Sequence, residues 1–232
     1  IELRRRILSV LMVFLLAFII CFLNATPLFQ LVIKPFLNAL PVKSEMIATH
    51  IISPLLTPIK LALNAAMFIT APMFLFQIWR FSYKGLYRTE RFYLLLLTAG
   101  SVCLFALGSL FCFYIVLPFM LQFLVGVIPE GVRLLPEISS AVDFITRMVL
   151  VFGFAFQIPL LCLFLVRTGM VDTENLKKIR PYVIVLAFTL GMLLTPPDVF
   201  SQILLAIPLC ILYESGILLA ALVENRAKKQ HI

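Results

Sequence analysis

Two glutamates lie among arginines, and together they could bind a cationic partner. Glu2 precedes Arg4, and Glu90 lies between Arg88 and Arg91. Carboxylates match the fork of a guanidinium group, so a site formed by both glutamates would suit an arginine-bearing ligand. The alternative is that each carboxylate only neutralises its basic neighbours, and the pattern leaves both interpretations open.

The sequence carries none of the usual motifs of catalysis or cofactor binding. It has no glycine-rich phosphate loop, no HExxH or GxSxG motif and no cluster of metal ligands. Its five cysteines lie in apolar runs without CxxC spacing and are interpreted as packing residues. We therefore expect neither an enzyme nor a cofactor, and any transport must take its energy from elsewhere.

Polar residues inside or beside apolar runs form a second group of candidates, because such groups are costly in a membrane. Gln157 is followed two residues later by a proline, which predicts a kinked helix, and its amide is expected to face the protein interior or a wet concavity rather than lipid. Asp198 follows two prolines, and Glu214 is expected at the membrane surface. Asp143 and Arg147 have the spacing of an ion pair along one helix.

These residues are separated by apolar runs of about 17 to 30 residues, which is membrane-spanning length. The chain is 62% hydrophobic and 13% charged, about half the charged fraction of a soluble domain. Most of its 19 basic residues fall in every second gap, which by the positive-inside rule places those gaps and both termini in the cytoplasm. The net charge of +8 then indicates contact with anionic lipid rather than nucleic acid.

The predicted fold class is an all-α membrane protein, a single polytopic domain over residues 1–232 with six transmembrane helices. The segment before the second span is predicted to form short interfacial helices, and Thr57 with Pro58 is expected to start that span. The third span is long enough to require a tilt, a bend at Pro118 or a projection beyond the bilayer. The predicted spans are 7–23, 57–79, 92–125, 141–166, 181–194 and 200–214.

The last two spans are predicted to be short. The proline-containing break at 195–198 leaves each crossing roughly 20 Å of helix, against a core of roughly 30 Å. Either the bilayer thins there or other protein shelters this hairpin.

Several segments, in order along nearly the whole chain, resemble the TatC family, the multispanning subunit of the twin-arginine protein translocase. The last of them, GMLLTPPDVFSQ, is long enough to be highly specific. The matching segments are Glu2–Arg6, Ser53–Leu61, Gly85–Arg91, Arg180–Val183 and Gly191–Gln202.

The resemblance implies a receptor for paired-arginine signal peptides of proteins exported already folded, driven by the proton-motive force. It implies a multi-pass protein of the cytoplasmic (inner) membrane, N-in and C-in, with single-span partners of the TatB and TatA type. The residues implied in signal-peptide binding are Glu2, Arg4, Phe81, Tyr87, Glu90 and Arg91. Those implied in partner docking are Met192, Thr195 and Gln202.

One position departs from the family pattern. The family often has a glutamate in the fourth span, where this chain has Gln157, and glutamine cannot titrate. An alternative function is a secondary transporter or channel for a small solute or ion, with Gln157 and Asp198 lining its path. A structural membrane scaffold is the third possibility.

Overall fold

The computed structural model describes residues 2–39, 46–48, 52–82, 91–127, 135–195 and 199–230. Within these ranges the regular structure is helical, apart from one parallel bridge between Ile47 and Glu137. The all-α prediction is therefore confirmed for the described part of the chain. The helices are α1 Glu2–Leu23, α2 Ala25–Ala39, α3 Ser53–Ser82, α4 Arg91–Phe111, a π-helix Cys112–Val116, α5 Leu117–Gly126, α6 Ile138–Ala155, α7 Ile158–Arg167, α8 Thr173–Leu194 and α9 Val199–Gln230.

Five helical stretches of the described residues are long and apolar enough to cross a membrane: Arg6–Leu23, Ser53–Arg80, Leu96–Gly126, Ile138–Arg167 and Val199–Glu224. The predicted span 181–194 is not among them. Its helix, α8, has charged residues throughout its first turns, which lowers the mean hydropathy of any long window. The predicted fifth span, 181–194, and with it the total of six, therefore stay predictions.

The last two helices are longer than the predicted spans. Helix α8 has 22 residues and begins before the predicted start at 181, and α9 has 32 residues and continues past Glu214. A helix end is not a membrane boundary, so the short crossings remain a prediction, but no helix ends at Glu214.

The predicted helix start at Thr57 and Pro58 is wrong. Helix α3 begins at Ser53, and the Thr57 hydroxyl donates to the Ser53 carbonyl at 2.7 Å inside the helix. A threonine hydroxyl commonly bonds the carbonyl four residues earlier when it is not at a cap. Pro54 lies in the first turn of the helix, where proline is tolerated because no N–H is needed there.

The long third span is interrupted just before Pro118. The Leu117 N–H donates to the Cys112 carbonyl, which is the five-residue spacing of a π-helix. One such turn inside a long α-helix is a recognised cause of bending. The irregularity was expected near this proline, whereas the π-turn itself was not predicted.

The first of two compact units comprises Ile1–Cys103 and Ser109–Leu150. In it α1 packs against α3, and α2 packs against α3 and α5. The helix predicted between the first two spans is present as α2. The most deeply buried side chains of this unit are Leu61, Ala62, Ala66, Ser101, Cys112, Leu117, Met120, Val142, Ile145 and Met148.

The second unit comprises Leu104–Gly108 and Val151–Ile232. Helices α7 and α8 both pack against α9, around a core that includes Cys162, Leu176 and Ile217. The buried Tyr213 hydroxyl donates to the Leu176 carbonyl at 2.8 Å and so connects α9 to α8. Gly216 permits close approach, since a Cβ there would lie 3.0 Å from the Cα of Pro159.

Candidate functional site

The predicted recognition residues lie at three helix ends of the first unit. Glu2 opens α1, Phe81 lies next to the end of α3, and Arg91 opens α4. The side chain of Arg4 is exposed. Tyr87 and Glu90 lie outside the described residues, as do the side chains of Glu2, Phe81 and Arg91. Their grouping around an arginine therefore stays a prediction.

The charges at these ends suit the helix dipoles only in part. Arg80 lies in the last turn of α3, where a positive charge is favoured, whereas Arg4 lies in the first turn of α1, where it is not. The Arg80 guanidinium carbon lies 5.9 Å from the centre of the Phe76 ring, which stacks the cation on α3's own surface.

Sequence reasoning missed two polar side chains, Arg6 and Gln77, on the packed helices α1 and α3 of this unit. Arg6 Nη1 and Gln77 Oε1 are both buried and have no hydrogen-bond partner among the described residues. Their positions relative to the predicted recognition residues could have drawn attention to them. Arg6 is one helical turn after Glu2, and Gln77 is one turn before Phe81.

The predicted break at Gln157 is confirmed. Helix α6 ends at Ala155, and α7 begins at Ile158 with Pro159 in its first turn. The Gln157 N–H donates to the Phe154 carbonyl at 2.9 Å. This hydrogen bond spans three residues instead of the four of an α-helix, as in a 3₁₀ turn. Only 9% of Gln157 is exposed, in agreement with the expectation that its amide faces protein.

The three predicted docking residues lie in the hairpin formed by α8 and α9, and they differ in exposure. Met192 is 65% exposed, whereas Thr195 is 6% exposed and donates to the Gly191 carbonyl at 2.8 Å. The Gln202 amide donates across the hairpin to the Phe188 carbonyl at 2.9 Å. The Thr195 hydroxyl expected to face a partner thus donates within this chain, whereas the Gln202 amide has one N–H engaged there and keeps its second.

Glu214 pairs with Arg180, a contact that was not predicted. The Arg180 Nη2 to Glu214 Oε2 distance is 2.7 Å, and the two side chains are 41% and 47% exposed. This pair joins α8 to α9 one turn from the Tyr213 contact. Asp198, the remaining predicted polar residue of this region, lies outside the described residues.

A line of polar contacts, here called the α3–α6 polar seam, was also missed. Lys60 Nζ contacts Asp143 Oδ2 at 2.7 Å, so Asp143 pairs between helices and the predicted pair with Arg147 is wrong. Deeper along both helices, the Asn64 amide donates to Thr146 Oγ1 at 2.8 Å. The seam comprises Ser53, Lys60 and Asn64 on α3, and Glu137, Ser139, Asp143 and Thr146 on or beside α6.

The geometry of the seam explains why Asp143 pairs with Lys60 rather than with Arg147. A lysine four carbons long can span two packed helices, and it donates at once to Asp143 and, at 3.2 Å, to Ser139. Only 20% of the Asp143 side chain is exposed, against 42% of Lys60, so this carboxylate is stabilised by a cation that lies within direct contact of it at 2.7 Å.

Helices this apolar, joined by interhelical polar contacts, define a multi-pass helical membrane protein. The family model for the Sec-independent protein translocase protein (TatC) matches residues 1–208. The chain belongs to this family and is a protein translocase component.

Curated relatives agree with this assignment. The TatC protein of Azotobacter chroococcum is 41% identical over 225 residues, which are 97% of this chain and 88% of that protein. The Haemophilus influenzae protein is 42% identical over 95% of this chain and 86% of its own length. The Escherichia coli K12 protein is 41% identical over 94% of this chain and 84% of its own length.

A solved structure shows the same fold. The crystal structure described as the twin arginine translocase receptor TatC superposes with a TM-score of 0.88 at 36% identity. The match covers 95% of this chain and 97% of that one. A second crystal structure of the same receptor, in a detergent, gives a TM-score of 0.85 at 35% identity.

Proposed function

We propose that this chain is the receptor that binds paired-arginine signal peptides of folded cargo proteins, in a translocase of the inner membrane driven by the proton-motive force. The observation that carries the proposal is the match of 95% of the chain to a twin arginine translocase receptor, combined with Glu2 and Arg4 in the first turn of α1. Both termini are cytoplasmic in this proposal, and α8 supplies the fifth of six spans.

Recognition is electrostatic and directional in this proposal. Glu2 and Glu90 accept hydrogen bonds from the two guanidinium groups, and the site is framed by Arg4, Phe81, Tyr87 and Arg91. A fork of two parallel N–H···O bonds distinguishes arginine from lysine, which offers a point charge. Arg4 and Arg91 repel cations, so a cationic ligand is held only where a carboxylate accepts hydrogen bonds from it.

The test measures the affinity of the purified protein in detergent for a synthetic paired-arginine signal peptide. A charge-assisted hydrogen bond contributes about 1.5 to 3 kcal/mol, so Glu90→Ala is expected to weaken binding about tenfold or more. A peptide with both arginines replaced by lysine should bind more weakly to the unmodified protein. Glu174→Ala, which removes an exposed carboxylate in the first turn of α8, is the matched control.

Unchanged affinity in the double variant Glu2→Ala with Glu90→Ala would reject the recognition site. Equal affinity of the unmodified protein for the arginine and lysine peptides would reject the receptor function itself.

The same proposal assigns the α8–α9 hairpin to single-span partners of the TatB and TatA type. Because Thr195 and Gln202 already donate within the chain, docking is chiefly apolar, through Met192 and its neighbour Leu193, which is 72% exposed. Cysteine at Met192 should crosslink to a partner span in native membranes. Cysteine at Ala187, which is 3% exposed on the same helix, is the control and should not.

Crosslinking of Met192→Cys to lipid probes alone would contradict the docking assignment. Gln157 cannot carry a proton, so the proposal places proton coupling elsewhere in the translocase.

A further inference from the structure

Two polar atoms at one end of the α1–α3 pair lack partners. Arg6 Nη1 is a donor without an acceptor, and Gln77 Oε1 is an acceptor without a donor, among the described residues. Both atoms are buried, and a buried polar atom without a hydrogen bond is destabilising. Such atoms are rare in folded proteins and call for a ligand, an ordered water or a functional reason.

Their position connects them to the recognition site. Arg6 lies four residues after the start of α1 at Glu2, and Gln77 lies five residues before the end of α3 at Ser82. These two helices pack against each other within one compact unit. The unpartnered atoms therefore lie about one helical turn further into the helices than the predicted arginine-binding residues.

The combination of one donor and one acceptor restricts the ligand. An arginine or lysine side chain offers only donors, and a carboxylate or phosphate offers only acceptors. A peptide main chain offers both an N–H and a C=O at every residue except proline. A main-chain N–H or C=O that moves from water into an apolar environment also needs a hydrogen-bond donor or acceptor to replace the water.

We propose that Gln77 and Arg6 bind the main chain of the signal peptide next to its paired arginines, once the groups that cover these two atoms move aside. Gln77 Oε1 accepts one main-chain N–H, and Arg6 Nη1 donates to one main-chain carbonyl. The carboxylates select arginine, while these two residues hold the adjoining chain whatever its side chains are. This inference rests on the proposed receptor function and adds a second, sequence-independent subsite to it.

The experiment compares Gln77→Leu with the unmodified protein, using a synthetic paired-arginine signal peptide in detergent. Loss of one hydrogen bond is expected to weaken binding about three- to tenfold. The same factor is expected for the lysine version of the peptide, because the main chain is unchanged. Gln122→Leu, which alters an exposed glutamine of α5, is the control and should bind like the unmodified protein.

Main-chain N-methylation of the peptide then locates the contact. Methylating the N–H that Gln77 accepts should weaken binding to the unmodified protein by a similar factor and have no further effect on Gln77→Leu. Arg6→Met should weaken the arginine and lysine peptides equally. Since Gln77→Leu removes an unpartnered buried atom, its Tm should match or exceed that of the unmodified protein.

Full affinity in Gln77→Leu would overturn the inference and assign the atom to a bound water. A lowered Tm, or a loss confined to the arginine peptide, would overturn it as well. None of these results tests the receptor function, which is tested by comparing the affinities of the unmodified protein for the arginine and lysine peptides.

Discussion

Two glycines of α4 offer a test of close packing in which one substitution is expected to stabilise and the other to destabilise. A Cβ at Gly108 would lie 2.6 Å from Cγ of Phe156 and 2.7 Å from the main-chain oxygen of Phe152. A Cβ at Gly100 would have no neighbour within 4 Å. The same change to alanine therefore meets a crowded surface at one site and open space at the other.

The expected magnitudes follow from this difference. Alanine is favoured over glycine in a helix interior by about 0.8–1 kcal/mol, so Gly100→Ala should increase the free energy of unfolding by up to that amount. Gly108→Ala gains the same term. It also creates an overlap that costs about 1–3 kcal/mol or more, because the main-chain oxygen of Phe152 cannot rotate away. The net effect is a destabilisation of up to about 2 kcal/mol.

The assay is thermal unfolding of both variants in the same detergent. Gly108→Ala is expected to have the lower Tm, with Gly100→Ala at or above the unmodified protein. The reasoning is refuted if Gly108→Ala is as stable as Gly100→Ala. Gly108→Ala should cost less in a Phe156→Ala background than in the unmodified protein, because Phe156→Ala removes the Cγ that the new methyl group would overlap.

Three further predictions concern polar contacts between helices. Lys60→Met should lower the free energy of unfolding by about 1–3 kcal/mol, since it leaves the largely buried Asp143 without its cation, and adding Asp143→Leu should recover most of that loss in a double-mutant cycle. Gln202→Leu should lower Tm slightly, because the Phe188 carbonyl of α8 loses the donor it has in addition to its own helix; an unchanged Tm would show that this bond contributes nothing. Glu214→Gln should change stability by less than about 1 kcal/mol, because its pair with Arg180 is half-exposed, and a loss above 2 kcal/mol would contradict this.

The helical class and most helix positions were predictable because they depend on local properties. A long apolar run has only one way to satisfy its main chain in lipid, so the sequence pattern alone indicates a helix. The interruption at Gln157 was equally local, since Pro159 removes a donor and its ring excludes the preceding helical geometry. The start of α3 was missed because Thr57 with Pro58 is a good cap in isolation, whereas Ser53 with Pro54 serves as well and lies earlier.

The polar pairings could not be predicted, because each depends on which helices come into contact. Asp143 had a suitable arginine on its own helix, and it pairs instead with Lys60, 83 positions away in the sequence. Thr195 and Gln202 are residues that could donate hydrogen bonds to a partner helix. Packing within the hairpin directs the Thr195 hydroxyl and one Gln202 N–H to carbonyls of α8 instead.

The sequence by itself determined the family, the apolar segments and the carboxylates that could read arginine, because residue type and spacing carry that information. The tertiary structure alone decided which polar groups are satisfied within the chain and which, like Gln77 Oε1, are buried without a partner among the described residues. The physical reason is that a hydrogen bond requires two atoms within about 3 Å, and for groups on different helices that distance is set by packing.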